Sequence, residues 1–288
     1  MYDPRAMMDE MSTASYYYFC SKEIKVKSVE CSNANVEEWE NPDFIRIYDF
    51  GDSSPPITIR QNKCEGDTFT HVWPGAVFFG HYMASKEGKA LARGKTILEL
   101  GAGVGLAGIS CLVVGGAAKV TLSEVPSALS RGQLVPNVAI ARGNRRIHDL
   151  QTMSLTMGEH DTIGHAKARD LNVDVVLCSD IFFCKFMQNI TSKTLRRLIS
   201  WNAESSSSQG RTVVWISHVD RYPGSVAEVD SALSSAGFSR TRKVDLSSLE
   251  RCRALLTQPE YDYLLDVKIW FFEYARTGEG KAVEVSFE

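Results

Sequence analysis

Ile97-Leu98-Glu99-Leu100-Gly101-Ala102-Gly103-Val104-Gly105-Leu106 is the stretch on which the reading of this chain turns. Apolar residues run into a carboxylate, glycine then recurs at alternate positions, and an apolar segment follows at once. This is a strand ending in a tight turn that opens a helix, because glycine accepts positive φ and lets a ligand approach the main chain. Glycines so closely spaced are costly in a helix, so the turn serves more than connection. Two patterns overlap in it. Gly103-x-Gly105-x-x-Gly108 fits a dinucleotide fingerprint, with Glu124 placed as its ribose-binding acid. Glu99-x-Gly101-x-Gly103-x-Gly105 fits the turn of S-adenosylmethionine enzymes. The carboxylate separates them. A diphosphate is welcome at a helix N-terminus but would be repelled by Glu99, whereas the cationic amino group and sulfonium of the methyl donor would not. Glu124 suits the ribose hydroxyls of either cofactor.

Around this turn the chain alternates strand and helix. The pattern predicts a helix over Trp73–Met83, a strand over Lys95–Leu100 and a helix from Gly103 to Gly115. A strand over Lys119–Glu124, a helix over Ser127–Ala141 and a strand near Arg146–Leu150 follow. Further on come the apolar strand Asp174–Ile181, a helix over Met187–Asn202, a strand over Thr212–Val219 and a helix over Val226–Ala236. The late strands Arg240–Leu246 and Asp266–Tyr274 read as an antiparallel pair. Such alternation implies a mainly parallel sheet with right-handed crossovers. Ahead of it, period-two runs at Tyr16–Phe19, Ile24–Val26, Phe44–Tyr48 and Ile57–Arg60 read as a small antiparallel β layer. The expected organisation is an N-terminal β extension over 1–68 and a catalytic domain over 69–288.

Composition sets the outer bounds. The 288 residues carry a net charge of -3 and 44% hydrophobic residues, a globular balance that argues against nucleic acid as a partner. The 7 cysteines form no C-x-x-C pair and read as reduced thiols, and the 6 histidines lack ligand spacing, so no metal is expected. Met1–Ser15 has neither the apolar core of a signal peptide nor the basic character of a transit peptide, and no apolar run is long enough for a membrane. Cytosol or nucleus is the expected compartment.

Three blocks together make a resemblance specific. They are Val72-Trp73-Pro74-Gly75-Ala76, then Gly94 to Ile109 around the glycine turn, then Asp174 to Phe183 with its Ser179-Asp180-Ile181-Phe182-Phe183 ending. Over about residues 57–275 the chain resembles methyltransferase family 16, the seven-β-strand protein methyltransferases of the methyltransferase-like 21 and 23 type. The resemblance implies a Rossmann-like, seven-stranded class I methyltransferase sheet that binds S-adenosylmethionine and acts on a protein substrate. Carried over residue by residue, Glu99, Gly101, Gly103 and Gly105 would wrap the methionine half and Glu124 the ribose. Trp73 and Asp180 would stand beside donor and acceptor, and Met157 would flank the adenine. Two positions depart from the family pattern. Lysine-directed members read Asp-x-x-Tyr where this chain has Asp180-Ile181-Phe182-Phe183, and Leu155-Thr156-Met157-Gly158 has methionine in place of tryptophan. The first departure is closer to the branch of methyltransferase-like protein 23, associated with protein-arginine methylation.

Methyl transfer needs an aligned nucleophile and little else. A lysine acceptor must first lose its proton, which an apolar pocket assists, whereas a guanidinium needs carboxylates that fix its planar fork. Asp180, expected to emerge without a partner where a buried strand meets solvent, would hold either cation, with Phe183 beside it. The absent tyrosine hydroxyl tilts the reading towards arginine. His218, at a neighbouring strand end with Asp220, is a further candidate for the acceptor cleft, against the plainer reading of a hydrogen-bonded loop histidine. A methyltransferase-fold scaffold without turnover is the alternative class, supported by the two altered motifs and by a β extension able to join a larger assembly.

Overall fold

The computed structural model describes residues 45–51, 54–61, 69–145, 147–158, 162–205, 212–257, 261–277 and 283–284. The expected strands at Tyr16–Phe19 and Ile24–Val26 lie outside them. The chain enters through a hairpin, β1 (Ile45–Tyr48) and β2 (Ile57–Arg60), then α1 (Pro74–Ala84) and α2 (Lys86–Ala92). Next come β3 (Thr96–Leu100), α3 (Leu106–Val113), β4 (Lys119–Glu124), α4 (Pro126–Arg131), α5 (Leu134–Arg145) and β5 (Leu150–Ser154). The second half runs α6 (Thr162–Arg169), β6 (Val175–Ser179), α7 (Lys185–Ser205), β7 (Val213–Val219), α8 (Ser225–Ser235) and β8 (Phe238–Asp245). It closes with α9 (Glu250–Leu256), β9 (Ile269–Arg276) and β10 (Val283–Glu284).

The main sheet has the order β10-β8-β9-β7-β6-β3-β4-β5. Strands β5, β4, β3, β6 and β7 are parallel, while β9 runs antiparallel between β7 and β8. This is the expected mixed α/β sheet of seven strands, with the two-residue β10 added parallel to β8 at the edge. The chain leaves β3 towards β4 and β5, then returns to lay β6 on the other side of β3. That reversal opens a crevice beyond the C-terminal ends of β3 and β6, where open α/β sheets bind ligands.

Alternation along each strand sends side chains to opposite faces. On one face Ile97, Val120, Leu122, Val175, Leu177 and Trp215 pack with α1, α3, α5 and α9; on the other Leu98, Leu100, Val176, Cys178, Val214 and Ile216 pack with α6, α7 and α8. The hairpin joins the first of these cores through Tyr48, Ile57 and Ile59. Phe50, between its two strands, lies over Gly80 of α1, where a Cβ would fall 2.3 Å from its ring. Among the described residues no helix is long and apolar enough to cross a membrane.

Several boundaries differ from the sequence pattern, each for a local reason. Helix α3 begins at Leu106, not Gly103, because Gly103 (φ 56°) and Gly105 (φ 91°) are left-handed and extend the turn. The single helix expected over Ser127–Ala141 is two, α4 and α5, broken at Gly132; the break puts Pro136 in a first turn, where its missing N–H is tolerated. Strand β5 lies at Leu150–Ser154, about four residues later than its apolar residues indicate, because β4 sets its register from Val120↔Leu150 to Glu124↔Ser154. Helix α2, which periodicity does not reveal, is nucleated by Ser85, whose hydroxyl accepts from the Gly88 N–H at 3.0 Å.

Candidate active site

The glycine turn is built so that a molecule can lie against its backbone. Gly101, Gly103 and Gly105 have φ of 62°, 56° and 91°. A Cβ on Gly101 would fall 3.1 Å from Ile181 and 3.5 Å from the Met157 methyl, so these side chains stand close over the turn. Beside Gly103 nothing comes closer than the Phe69 backbone at 3.8 Å. Met157 is steadied from α7, where the Thr191 hydroxyl donates to its sulfur at 3.5 Å.

Two carboxylates organise this turn. Glu124 accepts the Gly103 N–H at 3.0 Å on Oε2 and the Val125 N–H at 2.9 Å on Oε1. Burial pushes its carboxyl up, against those two bonds. A carboxylate offers about four lone-pair sites, so capacity remains on both oxygens for a ribose diol. Glu99 is placed differently from its expected position beside the donor's charge. It is 1% exposed, and Oε2 accepts the N–H of Gly108 in the first turn of α3 at 2.9 Å. The N-cap of α3 is Gly105, which has no side chain to offer, so Glu99 caps the helix from the adjacent strand. A Cβ on Gly108 would lie 2.5 Å from that oxygen, which explains the third glycine of the apparent dinucleotide pattern without a diphosphate. Burial pushes the Glu99 carboxyl up to about 8.

Asp180 follows β6 in the left-handed region, φ 56°, and its N–H donates to the Ser217 carbonyl at 2.8 Å. It was expected to emerge without a partner. The structure corrects this: Arg221 grips it with both ends of its guanidinium, Nη1 to Oδ1 at 2.7 Å and Nη2 to Oδ2 at 2.6 Å. The two side chains are 14% and 1% exposed, Arg221 and Asp180 respectively. The guanidinium lies 5.8 Å from the ring centroid of Trp73, the N-cap of α1. The Trp73-Pro74-Gly75 block acquires a reason here. Pro74 starts the helix, and Gly75 leaves room for Asp180, since a Cβ would fall 3.0 Å from Asp180 Cβ and one of the two would have to shift. The Ser217 hydroxyl donates to the Gly75 carbonyl at 2.7 Å and joins α1 to the end of β7. Ile181, next to Asp180, stands over Gly101, where a Cβ would fall 3.1 Å from it, so the two halves of the crevice adjoin.

His218 lies behind this edge, 1% exposed. Its Nε2 is 3.1 Å from the Ser225 hydroxyl, which donates to Asp220. Since the serine proton goes to Asp220, Nε2 carries the imidazole proton and Nδ1 is bare; Nδ1 has no partner among the described residues. Burial pushes the imidazole down to about 4, and Arg221 adds to this. The histidine is therefore neutral at physiological pH. Phe182 is core, and Phe183 is half-buried, packed against the core on the α6, α7 and α8 side of the sheet. Arg221 is the residue that sequence reasoning missed. A single arginine in a turn, Asp220-Arg221-Tyr222-Pro223-Gly224, has no pattern to mark it. Its one signal is that the turn follows β7, the neighbour of β6.

The crevice meets the needs of S-adenosylmethionine. The positive-φ glycines would admit the methionine backbone, Glu124 would take the ribose, and Met157 and Ile181 would flank the purine and the thioether with apolar surface. A parallel sheet reversing at this crevice, with such a turn and such an acid, defines a Rossmann-like methyltransferase. The particular family follows from comparison. The profile of the lysine methyltransferase family, methyltransferase family 16, matches residues 52–212, more than half of the chain. The chain belongs to that family, and its cofactor is S-adenosylmethionine. EEF1A lysine methyltransferase 3 of Xenopus tropicalis is 38% identical over 73 residues, 25% of this chain. The match spans 31% of that relative's length. Among solved structures, TYW2 of M. jannaschii in complex with AdoMet has 12% identity and a TM-score of 0.44, covering 81% of this chain and 87% of that one. The fibrillarin pre-rRNA processing protein of Methanococcus jannaschii has 14% identity and a TM-score of 0.40, covering 82% and 99%.

Proposed function

We propose that the protein methylates a side-chain nitrogen of a protein substrate, and that this nitrogen is a lysine amine. The observation that carries the choice of acceptor is the pairing of Asp180. An arginine acceptor needs an uncompensated carboxylate to hold its guanidinium, and the charge of Asp180 is already compensated by the Arg221 guanidinium, which would itself repel a second one. This reverses the lean towards arginine drawn from the missing tyrosine hydroxyl. The family description and the frog relative's name support the same reading.

When bound, the donor supplies a methyl group on a sulfonium; the amine lone pair forms the N–C bond as the C–S pair returns to sulfur, leaving S-adenosylhomocysteine. The ammonium must first release its proton to solvent. The chain's own residues do the rest. The glycine turn and Glu124 would hold the donor in one orientation, and Trp73, beside the Arg221 guanidinium, would border the approach. Labelled donor incubated with the protein and a cell extract tests this. After hydrolysis of the extract proteins, label is expected in methyl-lysine. Label in methylarginine alone would overturn the choice of acceptor. No labelled protein at all, with S-adenosylhomocysteine still bound, would favour the scaffold class.

A further inference from the structure

We infer that Arg221 is a positioning residue for the acceptor: by closing both oxygens of Asp180 into an internal pair, it keeps the cleft mouth from stabilising a charged amine. The inference rests on the methyl-transfer reading above and assigns a role to a residue outside the family motifs. A buried, unpaired carboxylate within a few ångströms of an ammonium holds its proton in place. That makes a poor site for a nucleophile whose ordinary pKa is about 10.4. A fixed cation nearby acts in the opposite direction, lowering the pKa of a neighbouring amine.

The geometry is that of a locked pair. The carboxylate is gripped on both oxygens. The guanidinium is held from behind by its own turn, with Arg221 N–H on the Val219 carbonyl at 3.0 Å and Nη1 3.4 Å from that oxygen. Trp73 covers it at 5.8 Å. Asp180 is also held in a backbone conformation that L side chains seldom adopt, and such residues concentrate at functional sites. Asp180 and Arg221 both lie beyond the ends of their strands, so their side-chain pair is no part of the sheet ladder.

Other titratable groups on the surrounding elements are His71 before α1, Glu99 on β3, Glu124 at the end of β4, and His218 and Asp220 on β7 and its exit. Tyr222 and Glu228 lie beyond Arg221, paired with each other. Burial pushes both histidines down to about 4, so they stay neutral between pH 6 and 10. Glu99, pushed up to about 8, titrates within that window in every variant and cancels in a difference.

The test uses the acceptor protein identified by labelling, purified and saturating, with kcat followed between pH 6 and 10. Arg221→Gln bares Asp180, and the acid limb of its profile should move up by at least one pH unit, roughly a tenfold loss near neutrality that recovers in alkali. Asp180→Asn bares the guanidinium and should move the limb down. The Asp180→Asn, Arg221→Gln double variant, neutral again, should return it to within a few tenths of a unit. Arg221→Lys, which keeps the charge, should lower the rate without moving the limb. S-adenosylhomocysteine binding by calorimetry should stay within about tenfold throughout, showing an intact donor site. If Arg221→Gln fails to fold, the opposite shift in Asp180→Asn and the restored profile of the double variant still decide the matter. Parallel losses at every pH would mean that the pair only holds the fold, and would overturn this inference alone. No transfer by the wild-type chain would overturn the methyl-transfer reading and this inference together.

Discussion

The two sides of the crevice are built by different means. Around the glycine turn the contacts are between carboxylates and backbone N–H groups close in sequence: Glu99 to Gly108, 9 residues apart, and Glu124 to Gly103, 21 apart. Around Asp180 the contacts are between charged side chains and a distant helix start: Arg221 is 41 residues away, and the Ser217 bond to Gly75 spans 142. Backbone donors are fixed once the strands and helix form, so the turn is complete once the contiguous β3-α3-β4 unit has formed. The mouth is complete only when α1, β6 and β7 have all docked. One side therefore tolerates change in distant residues, and the other does not.

The largest effect that would break this contrast is at the mouth. Asp180→Ala leaves the Arg221 guanidinium without its partner in a buried setting, and breaking a buried pair costs about 3–5 kcal/mol. Denaturant unfolding should show a loss of that order, with donor binding retained because the turn is untouched. A loss below ~1 kcal/mol would mean the pair is exchanged readily for water.

On the opposite side, Glu124→Ala should affect binding more than folding. One charged hydrogen bond contributes about 1.5–3 kcal/mol, roughly a ten- to hundred-fold loss in S-adenosylhomocysteine affinity by calorimetry. Unchanged affinity would leave Glu124 as a cap for the Gly103 and Val125 N–H groups and nothing more. A smaller change sharpens the boundary between the sides. Gly75→Ala pushes a methyl to 3.0 Å from Asp180 Cβ, an overpacking that costs about 1–3 kcal/mol. Its thermal shift should largely disappear in an Asp180→Ala background, whereas independent effects would add.

A further test is a pH dependence. Glu99 has its folded pKa raised from an ordinary 4.5 to about 8 by burial. Its contribution is fully present below pH 4.5 and is lost as pH rises through 8, because the folded state binds more protons across that window. Glu99→Gln keeps an acceptor for the Gly108 N–H and has no proton to lose. The variant should therefore gain in melting temperature over the wild type from pH 5 to about 8 and level off above it. A flat difference would show that Glu99 is ionised in the folded protein throughout.

Much of the scaffold is legible because it depends on local patterning. Apolar alternation and the glycine run locate β3, β4, β6 and β7 and the α1, α3, α7 and α8 helices, and Glu124 falls at a strand end by simple counting. Glu99 is legible as a carboxylate at the turn but not in its orientation. Strand alternation places it on the α3 face, and only the packed helix shows that its oxygen meets Gly108. Gly75 and Gly80 are unremarkable in sequence; their reasons are Asp180 and Phe50, which reach them from other elements.

What the sequence determined by itself is the class: a doubly wound sheet whose first βα turn is shaped for S-adenosylmethionine, written in residues 97–124 and in the Trp73 and Asp180 blocks. What only the tertiary structure decided is the charge state of the mouth. An ion pair is a statement about two side chains in space, and Arg221 carries no periodic or motif signal until β7 lies beside β6 and its turn swings over Asp180. Backbone geometry is local and can be read along the chain. The neutralisation of a buried carboxylate depends on which distant cation the fold brings within 3 Å.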